Sequence, residues 1–306
     1  MRVAVLGMGN MGRAVAGRLL AEGYHVTVWN RTPGRVAEVI EAGAVEASSP
    51  AEAALGTEAV LMSLTDDRAV LEVMERLTGL GSAADTRLLA DVPGTTATAD
   101  VAEAPVVVDM STISPDTSRI LRDMAPGRRF LAAPIMGAPQ AVLGGTASGL
   151  LGGDRGVADR LEPIWSRLFS AYWYCGEDPG SASTFKLLNN YLMMSGVAVV
   201  AEVVATAEAA GLDRTLLREA LHRWPTVAPG LHNRLDAIID GDHQGWFATR
   251  LGAKDVRLLA EVAESSGITP PIARLVQRRY EEAADQGWSE ADITAVVELL
   301  RARRPA

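Results

Sequence analysis

The feature that most constrains the fold is a glycine motif near the start of the chain. The sequence GMGNMG occupies positions 7–12, directly after the apolar run VAVL at positions 3–6. Between a strand and a helix, the pattern G-x-G-x-x-G marks a βαβ unit that binds a dinucleotide, whereas in isolation it is only a glycine-rich turn. Gly7 permits the tight turn, Gly9 lets a pyrophosphate approach the backbone, and Gly12 lets the helix pack on the strand.

Strand and helix patterns alternate through the first part of the chain. Buried parallel strands are predicted at residues 3–6, 25–29, 59–64 and 106–110, and helices at 12–22 and 33–42. This alternation is typical of a doubly wound α/β sheet. Further strands are predicted at 88–92, 130–131 and 172–174, and the glycine-rich stretch 144–156 is interpreted as a turn and a strand edge rather than a linker.

The second part of the chain is predicted to be all-helical. Residues 183–210 form one long pattern without proline, apolar nearly all round, and Gly211 follows it at a natural C-cap position. Further helices are predicted at 215–223, 253–265, 272–286 and 290–301. We therefore expect two domains, residues 1–178 and 179–306, joined where the pattern changes.

Composition narrows the class of protein. The net charge is -9 and the pI is near 5.1, which argues against nucleic acid or an anionic membrane as the main partner. With Cys175 as the single cysteine, no internal disulfide and no metal-thiolate cluster can form. The longest apolar run, residues 191–201, is too short for a bilayer, and the start lacks the apolar region of a signal peptide. We expect a soluble cytoplasmic protein that acts on a small molecule without a metal.

The end of the second strand predicts which dinucleotide binds. An acidic residue there would bind the ribose hydroxyls of NAD, but this chain has Asn30, Arg31 and Thr32, which offer donors and positive charge to a 2′-phosphate. The residues therefore favour NADP(H); if Arg31 were an ordinary surface arginine, this segment would still lack an acidic group for NAD. The predicted cofactor-binding residues are Gly7, Met8, Gly9, Asn10, Met11, Gly12, Asn30, Arg31, Thr32, Leu64 and Thr65.

Lysine is almost absent. Of 29 basic residues, only Lys186 and Lys254 are lysines. Arginine keeps its proton at any accessible pH, whereas a desolvated lysine can lose and regain one, so both lysines are candidates for proton transfer. Asn190 lies four residues after Lys186, which on a helix places the two side chains on one face. The alternative is that both lysines have survived by drift on the surface.

Taken together, these motifs resemble those of the β-hydroxyacid dehydrogenases, the 3-hydroxyisobutyrate dehydrogenase family, and of their imine reductase relatives. The likeness covers the glycine motif, DMSTISP at 109–115, GSASTFKLLNN at 180–190, and KD at 254–255 after WF at 246–247. The resemblance implies a Rossmann domain, then an all-α domain like the C-terminal domain of 6-phosphogluconate dehydrogenase, and a homodimer that intertwines through it. It further implies that Lys186 is catalytic with Asn190 as its partner, that Ser111 and Thr112 bind substrate, and that Lys254 lies near the active site.

One loop departs from the family pattern. Where the family has Asp-x-Pro-Val-Ser-Gly-Gly, this chain has AAPIMGA at 132–138, so Ala132, Met136 and Ala138 replace the acid, the serine and the second glycine. Met136 and Gly137 are still expected to line the substrate site. The substitution resembles imine reductases, but those enzymes usually carry Asp or Tyr at the position of Lys186. The segment 77–104 is also longer than in the family.

Three functions remain open from the sequence. The first is an NADPH-dependent oxidoreductase that transfers hydride between the nicotinamide and a carbonyl or 3-hydroxyacid substrate. In it Lys186 acts as general acid and base, and Asn190 orients the ammonium or the substrate oxygen. The second is an imine reductase, and the third is a protein that senses NADPH without catalysis. For Ser111 and Thr112 the alternative to substrate binding is a helix cap, because Pro115 lies just beyond them.

Overall fold

The computed structural model describes residues 1–32, 34–78 and 104–301. The chain divides into two compact units, Met1–Lys186 and Leu187–Ala306. The domain boundary expected after residue 178 falls where helix α9 (Pro179–Ala209) begins, and the compact units divide within that helix. The strand predicted at 88–92 and most of the long segment 77–104 lie outside the described residues.

The described part of the first unit is built on one mixed sheet. Its strands are β1 (Arg2–Leu6), β2 (His25–Trp29), β3 (Val45–Glu46), β4 (Ala59–Met62), β5 (Val106–Asp109), β6 (Phe130–Ala132), β7 (Ile135–Met136), β8 (Ala147–Gly153) and β9 (Phe169–Tyr174). Strands β3-β2-β1-β4-β5-β6 run parallel in that order, which confirms the doubly wound sheet. Strand β8 then pairs antiparallel with both β6 and β7 and parallel with β9, which adds to the parallel sheet an antiparallel edge that the sequence did not indicate.

Helices cover both faces of this sheet. They are α1 (Asn10–Ala21), α2 (Ala37–Glu41), α3 (Pro50–Ala54), α4 (Asp67–Thr78), α5 (Pro115–Met124), α6 (Pro139–Leu143), α7 (Arg155–Arg160) and α8 (Glu162–Leu168). Along β1, Val3 and Val5 join the core that includes α1, while Ala4 and Leu6 join the core that includes α4. Because successive side chains point to opposite faces, a strand buried on both sides reads as a continuous apolar run.

Two details of the first unit differ from the sequence prediction. Helix α2 begins at Ala37, so the helix predicted over 33–42 is shorter than expected. The glycine-rich stretch 144–156 contains the whole of β8. There a Cβ on Gly149 would lie 2.3 Å from the Phe169 ring, so glycine is required for β8 and β9 to pair closely.

The second unit is helical in its described residues, as predicted. After α9 come α10 (Arg214–Arg223), α11 (His232–Asp240), α12 (Thr249–Ser265), α13 (Pro271–Ala283) and α14 (Glu298–Arg301). Its core surrounds Met194 of α9, whose backbone oxygen accepts a 3.0 Å hydrogen bond from the buried Tyr280 hydroxyl. A Cβ on Gly252 would lie 2.9 Å from the Met194 sulfur, so this glycine lets α12 approach α9.

The last two predicted helices are wrong in their bounds. Helix α13 ends at Ala283 in a π-helical turn, where Gly287 adopts φ +98°. The helix predicted over 290–301 is instead a 3-10 turn, Ile293–Val297, followed by the short α14. Asp292 caps that turn by accepting a hydrogen bond from the Thr294 amide, and every residue of the turn is buried. Without a polar face, this segment could not lie as an amphipathic helix on the surface.

Helix α9 carries an exposed apolar stripe. Leu188, Leu192, Val199 and Val203 are 44%, 73%, 59% and 37% exposed, and they follow one another at intervals of four, seven and four residues. By length and composition alone, with mean hydropathy 1.6, α9 could cross a bilayer, although long core helices of water-soluble proteins meet the same test. Gly211, at φ +69°, follows the helix end as predicted.

Candidate active site

The glycine loop between β1 and α1 is fixed partly by the chain itself. A Cβ on Gly12 would lie 1.8 Å from the Gly7 backbone oxygen, and one on Gly7 would lie 2.2 Å from the Ser63 oxygen. Apart from its neighbours in the chain, no described atom comes within 4 Å of the Gly9 Cβ position, so a close-lying ligand would account for glycine there. Gly9 is the N-cap of α1, no side chain caps it, and the first turn carries no acidic residue. The loop therefore fits a pyrophosphate, which helix N–H groups bind well.

Asn30 joins the loops that follow β1 and β2. Its Oδ1 accepts a 2.9 Å hydrogen bond from the Met8 amide, and its Nδ2 donates to the Thr32 oxygen at 2.7 Å. We had expected this side chain to donate to a cofactor phosphate, whereas its hydrogen bonds in the structure are internal and hold the glycine loop in place. The Met8 side chain is fully buried in the core, so only its backbone is available to a ligand.

The remaining residues of the glycine loop and of the loop after β4 have intramolecular partners. Asn10 is exposed, and its Oδ1 accepts a hydrogen bond from Arg13. Met11 is half-buried and packs against the core below α1. After β4, the Thr65 hydroxyl donates to Asp66. Asn10 and Thr65 remain exposed, so their side chains stay predicted cofactor contacts together with the loop backbone.

Arg31 stands in a charged cluster that the sequence analysis missed. Its side chain is 75% exposed, and its Nη1 lies 3.8 Å from Oε2 of Glu72 on α4. Arg68 donates from Nε to the other oxygen of Glu72 at 2.7 Å, and the Arg76 guanidinium lies 6.0 Å from the centre of the Trp29 ring. Residues 68, 72 and 76 lie on one face of α4, since they recur every four residues. That spacing was readable in the sequence, but its position beside the end of β2 was not.

Ser111 ties together the loops that follow β4 and β5. It is 5% exposed, and its Oγ accepts a 2.9 Å hydrogen bond from the Leu64 amide. Its own amide donates to the buried Asp109 at 3.3 Å. The cap of α5 is Ser114, which accepts from the Thr117 amide, so the alternative that Ser111 or Thr112 caps this helix is wrong. With its oxygen accepting, the Ser111 hydroxyl can still donate its proton to a substrate.

The other predicted substrate residues lie after β5 and β7. Thr112 is half-buried beside Ser111. Met136 is half-buried at the end of β7 and packs against the core. Gly137 has φ +138°, and a Cβ there would lie 3.3 Å from the Ala141 Cβ. Glycine is therefore required at 137 by the backbone conformation, in addition to any contact with substrate.

Helix α9 carries the two predicted catalytic residues one turn apart. Lys186 is half-buried, and Asn190 is 2% exposed. Asn190 donates from Nδ2 to Asp255 Oδ2 at 2.6 Å and accepts at Oδ1 from Asn189 at 3.3 Å. The second lysine, Lys254, places its Nζ 3.1 Å from Asp255 Oδ1, with the two side chains 13% and 3% exposed.

Asp255 is the residue of this cluster that the sequence reasoning did not assign a role. An ionised carboxylate can only accept hydrogen bonds, so it fixes which end of the Asn190 amide faces it and leaves Oδ1 pointing the other way. Lys254 supplies the positive charge that a buried carboxylate needs. The signal for Asp255 was its place on the buried face of α12, with Gly252, Val256 and Leu259.

Comparison with known proteins agrees with this arrangement. Residues 2–176 match the family described as the NAD binding domain of 6-phosphogluconate dehydrogenase. Residues 180–300 match the family described as NAD-binding of NADP-dependent 3-hydroxyisobutyrate dehydrogenase. Glyoxylate/succinic semialdehyde reductase 1 of Arabidopsis thaliana is 26% identical over 306 residues, which cover 99% of this chain and 100% of that protein.

Two solved structures have the same fold. The crystal structure of 3-hydroxyisobutyrate dehydrogenase from Salmonella typhimurium matches with a TM-score of 0.84 at 21% identity, over 98% of this chain and 99% of that one. The imine reductase of Streptomyces aurantiacus matches with a TM-score of 0.61 at 24% identity, also over 98% and 99%. At these identities the likeness extends to the fold alone.

Proposed function

We propose a particular reaction for this chain, which belongs to the β-hydroxyacid dehydrogenase family and is an oxidoreductase that uses a nicotinamide dinucleotide. The reaction is the NADPH-dependent reduction of a carbonyl group, or the reverse oxidation of a hydroxyl group, with Lys186 as general acid and base. The observation that carries this proposal is Lys186 on α9, one turn before an asparagine whose amide Asp255 holds in a single orientation.

The chain's own residues would handle the proton and the orientation. When bound, the nicotinamide supplies or accepts the hydride. Lys186 would donate a proton to the oxygen that becomes an alkoxide during reduction, and take it back during oxidation. Because Nδ2 of Asn190 donates to Asp255, its Oδ1 is the end that can accept from an ammonium, so we assign Asn190 to orienting Lys186. Ser111 and Thr112 would donate to the polar end of the substrate, with Met136 and the amide of Gly137 completing that site.

The residues at the end of β2 support NADP(H) over NAD(H). The glycine loop and the open start of α1 would hold the pyrophosphate, and Arg31 would pair with a 2′-phosphate. One of the two matching families is described as NADP-dependent, in line with this choice. The acidic residue that pairs with Arg31, Glu72, comes from α4 and also pairs with Arg68.

Imine reduction is the second candidate function, and the sequence of the loop at residues 132–138 favours it. Ala132 is fully buried and Met136 half-buried, so the acid and hydroxyl that would hold a small carboxylate are replaced by apolar groups. An iminium arrives already protonated, so its reduction needs no donor, and a cationic Lys186 would repel it. The joint presence of Lys186, Asn190 and Ser111 supports carbonyl chemistry instead.

A substrate panel tests the proposed function. Oxidation of NADPH is followed with 3-oxoacids, short aldehydes and cyclic imines, first with wild type and then with Lys186→Met. We expect the best substrate to be a carbonyl compound. If a cyclic imine is the best substrate and its turnover survives Lys186→Met, the protein is an imine reductase. Tight NADPH binding without turnover of any class would identify a sensor and overturn both enzymatic readings.

We also propose a homodimer in which a second copy covers the apolar stripe of α9. Leu192 is the most exposed residue of this stripe, at 73%. A monomeric protein rarely leaves a continuous apolar stripe of this kind uncovered. Light scattering at micromolar concentration should give a dimer for wild type and a monomer for Leu192→Glu. Leu216→Glu on α10, where the leucine is 65% exposed, is the matched control and should remain dimeric. A monomeric wild type would contradict the proposal. The cytoplasmic location stays a prediction.

A further inference from the structure

The face of α4 that carries Arg68, Glu72 and Arg76 borders the C-terminal end of β2. Two contacts establish this position: the ion pair between Glu72 and Arg31, and the Arg76 guanidinium near the Trp29 ring. In doubly wound nucleotide-binding folds, the end of the second strand meets the adenosine ribose, where NADP carries its additional phosphate. Helix α4 therefore places a second group of charged side chains beside that position.

On this face of α4 the Glu72 carboxylate is shared by two guanidinium groups, and Asp66 adds a weaker attraction to Arg68. Glu72 offers one carboxylate to two guanidinium groups, with Oε1 toward Arg68 at 2.7 Å and Oε2 toward Arg31 at 3.8 Å. Arg68 is 88% exposed and Arg31 75%, so both can turn toward a ligand without disturbing the core. A phosphate carries more charge than a carboxylate and a third acceptor oxygen, so it is the stronger partner for this pair.

We propose that Arg68 and Arg31 together bind the 2′-phosphate of NADPH, and that Glu72 is a built-in counter-anion which that phosphate displaces. Glu72 holds the two guanidinium groups side by side when no phosphate is present. It also competes with the phosphate, and so determines how strongly the enzyme prefers NADPH to NADH. This inference rests on the proposed use of NADPH and adds Arg68 and Glu72 as determinants of that preference.

Competition between Glu72 and the 2′-phosphate should change the affinity for NADPH but not the affinity for NADH. NADH has no 2′-phosphate and leaves the Glu72 contacts in place, so changes at these positions should affect NADPH alone. Because exposed ion pairs are individually weak, removing the competitor should have a modest effect. Glu72→Gln should lower the Kd for NADPH about threefold, and Arg68→Gln should raise it about fivefold, the range that such exposed pairs span. The Kd for NADH should not change in either variant.

Fluorescence titration of the full-length enzyme with NADPH and NADH tests this directly. Glu75→Gln is the matched control, since it removes the same charge from an exposed position on the same helix. Adenosine 2′,5′-bisphosphate and 5′-AMP serve as competing probes that differ only in the 2′-phosphate. Glu72→Gln should strengthen competition by the bisphosphate and leave competition by 5′-AMP unchanged, and Glu75→Gln should behave as wild type.

The outcomes separate this inference from the cofactor proposal. If Arg31→Ala weakens NADPH binding selectively while Arg68→Gln and Glu72→Gln have no effect, NADPH use stands and the α4 site is wrong. Equal changes in the Kd for NADPH and for NADH, or the same effect from Glu75→Gln, would indicate that only the overall charge of α4 matters. Either result would also overturn the proposed α4 site. If wild type binds NADPH no more tightly than NADH and Arg31→Ala changes nothing, the cofactor proposal itself fails, and this inference with it.

Discussion

The glycine loop and the Asn190–Asp255–Lys254 cluster are built by different means. In the loop the constraints act on the backbone, and the decisive contact, between the Gly12 Cβ position and the Gly7 oxygen, joins residues five apart in sequence. In the cluster the constraints act on side chains, and Asn190 and Asp255 are 65 residues apart. Local sequence can therefore specify a cofactor loop, whereas a buried polar cluster is specified only once the helices have packed.

The largest effect on stability is expected at Gly12, in the glycine loop. Gly12→Ala places a Cβ against backbone that cannot move aside, and we expect a loss of about 3 kcal/mol in the free energy of unfolding, the upper range for overpacking. Gly9→Ala is the matched control, because its Cβ would meet no described atom within 4 Å. It should change stability by less than about 1 kcal/mol but weaken cofactor binding about tenfold, or about 1.4 kcal/mol.

Urea unfolding of the two glycine variants measures their stability, and NADPH titration measures their cofactor binding separately. If Gly9→Ala lost as much stability as Gly12→Ala, both glycines would be required by the fold. The assignment of Gly9 to the ligand would then be wrong.

The buried cluster should show the next largest effect, through coupling between side chains. Asp255→Asn removes the charge that pairs with Lys254 and should lower the free energy of unfolding by about 2–3 kcal/mol, the upper range for leaving a buried polar group unsatisfied. Lys254→Met alone should also destabilise, but the double variant should lose less than the sum of the two. A double-mutant cycle measured by urea unfolding gives this coupling. Strict additivity would mean that the 3.1 Å ion pair contributes nothing to stability.

The smallest of the three effects is expected at Arg31, on the surface beside the glycine loop. Arg31→Ala should weaken NADPH binding by about 1.5 kcal/mol, the lower range for a hydrogen bond to a charged group, and leave NADH binding unchanged. The ratio of the two KM values checks this. An unchanged ratio would mean that the end of β2 does not select the cofactor, and that the loop provides dinucleotide binding without selectivity.

The sequence was sufficient for the parts of the fold that repeat a simple pattern. Strands β1, β2, β4 and β5, helix α9 and its end before Gly211 follow from apolar runs and glycine positions. The antiparallel pairing of β8 could not be predicted, because a glycine-rich segment carries little strand pattern. The 3-10 turn after Asp292 was missed because its cap and its burial both depend on contacts with other parts of the helical unit.

The same limit applies to the candidate site. Gly7, Gly9, Gly12 and Arg31 were predicted as cofactor-binding residues from the motif and its context, and this stays a prediction. The internal hydrogen bonds of Asn30 were not, since side chains with both donor and acceptor can serve ligand or backbone equally well. Glu72 and Asp255 required the packing of α4 and α12 to be known, because neither lies next to its partner Arg31 or Asn190 in sequence.

Single-turnover hydride transfer in Lys186→Met is the most direct test of the central claim, that this lysine is the proton donor to a carbonyl. With the best carbonyl substrate and saturating NADPH, the rate should fall about 10²–10⁴-fold, the usual contribution of general acid catalysis, while the Kd for NADPH is unchanged. Lys186→Arg should be nearly as slow, because arginine keeps its charge but does not release its proton. With a preformed iminium, Lys186→Met should keep or gain activity, because hydride transfer then needs no proton donor and the repelling charge is gone. A wild-type rate for Lys186→Met on the carbonyl substrate would contradict the assignment.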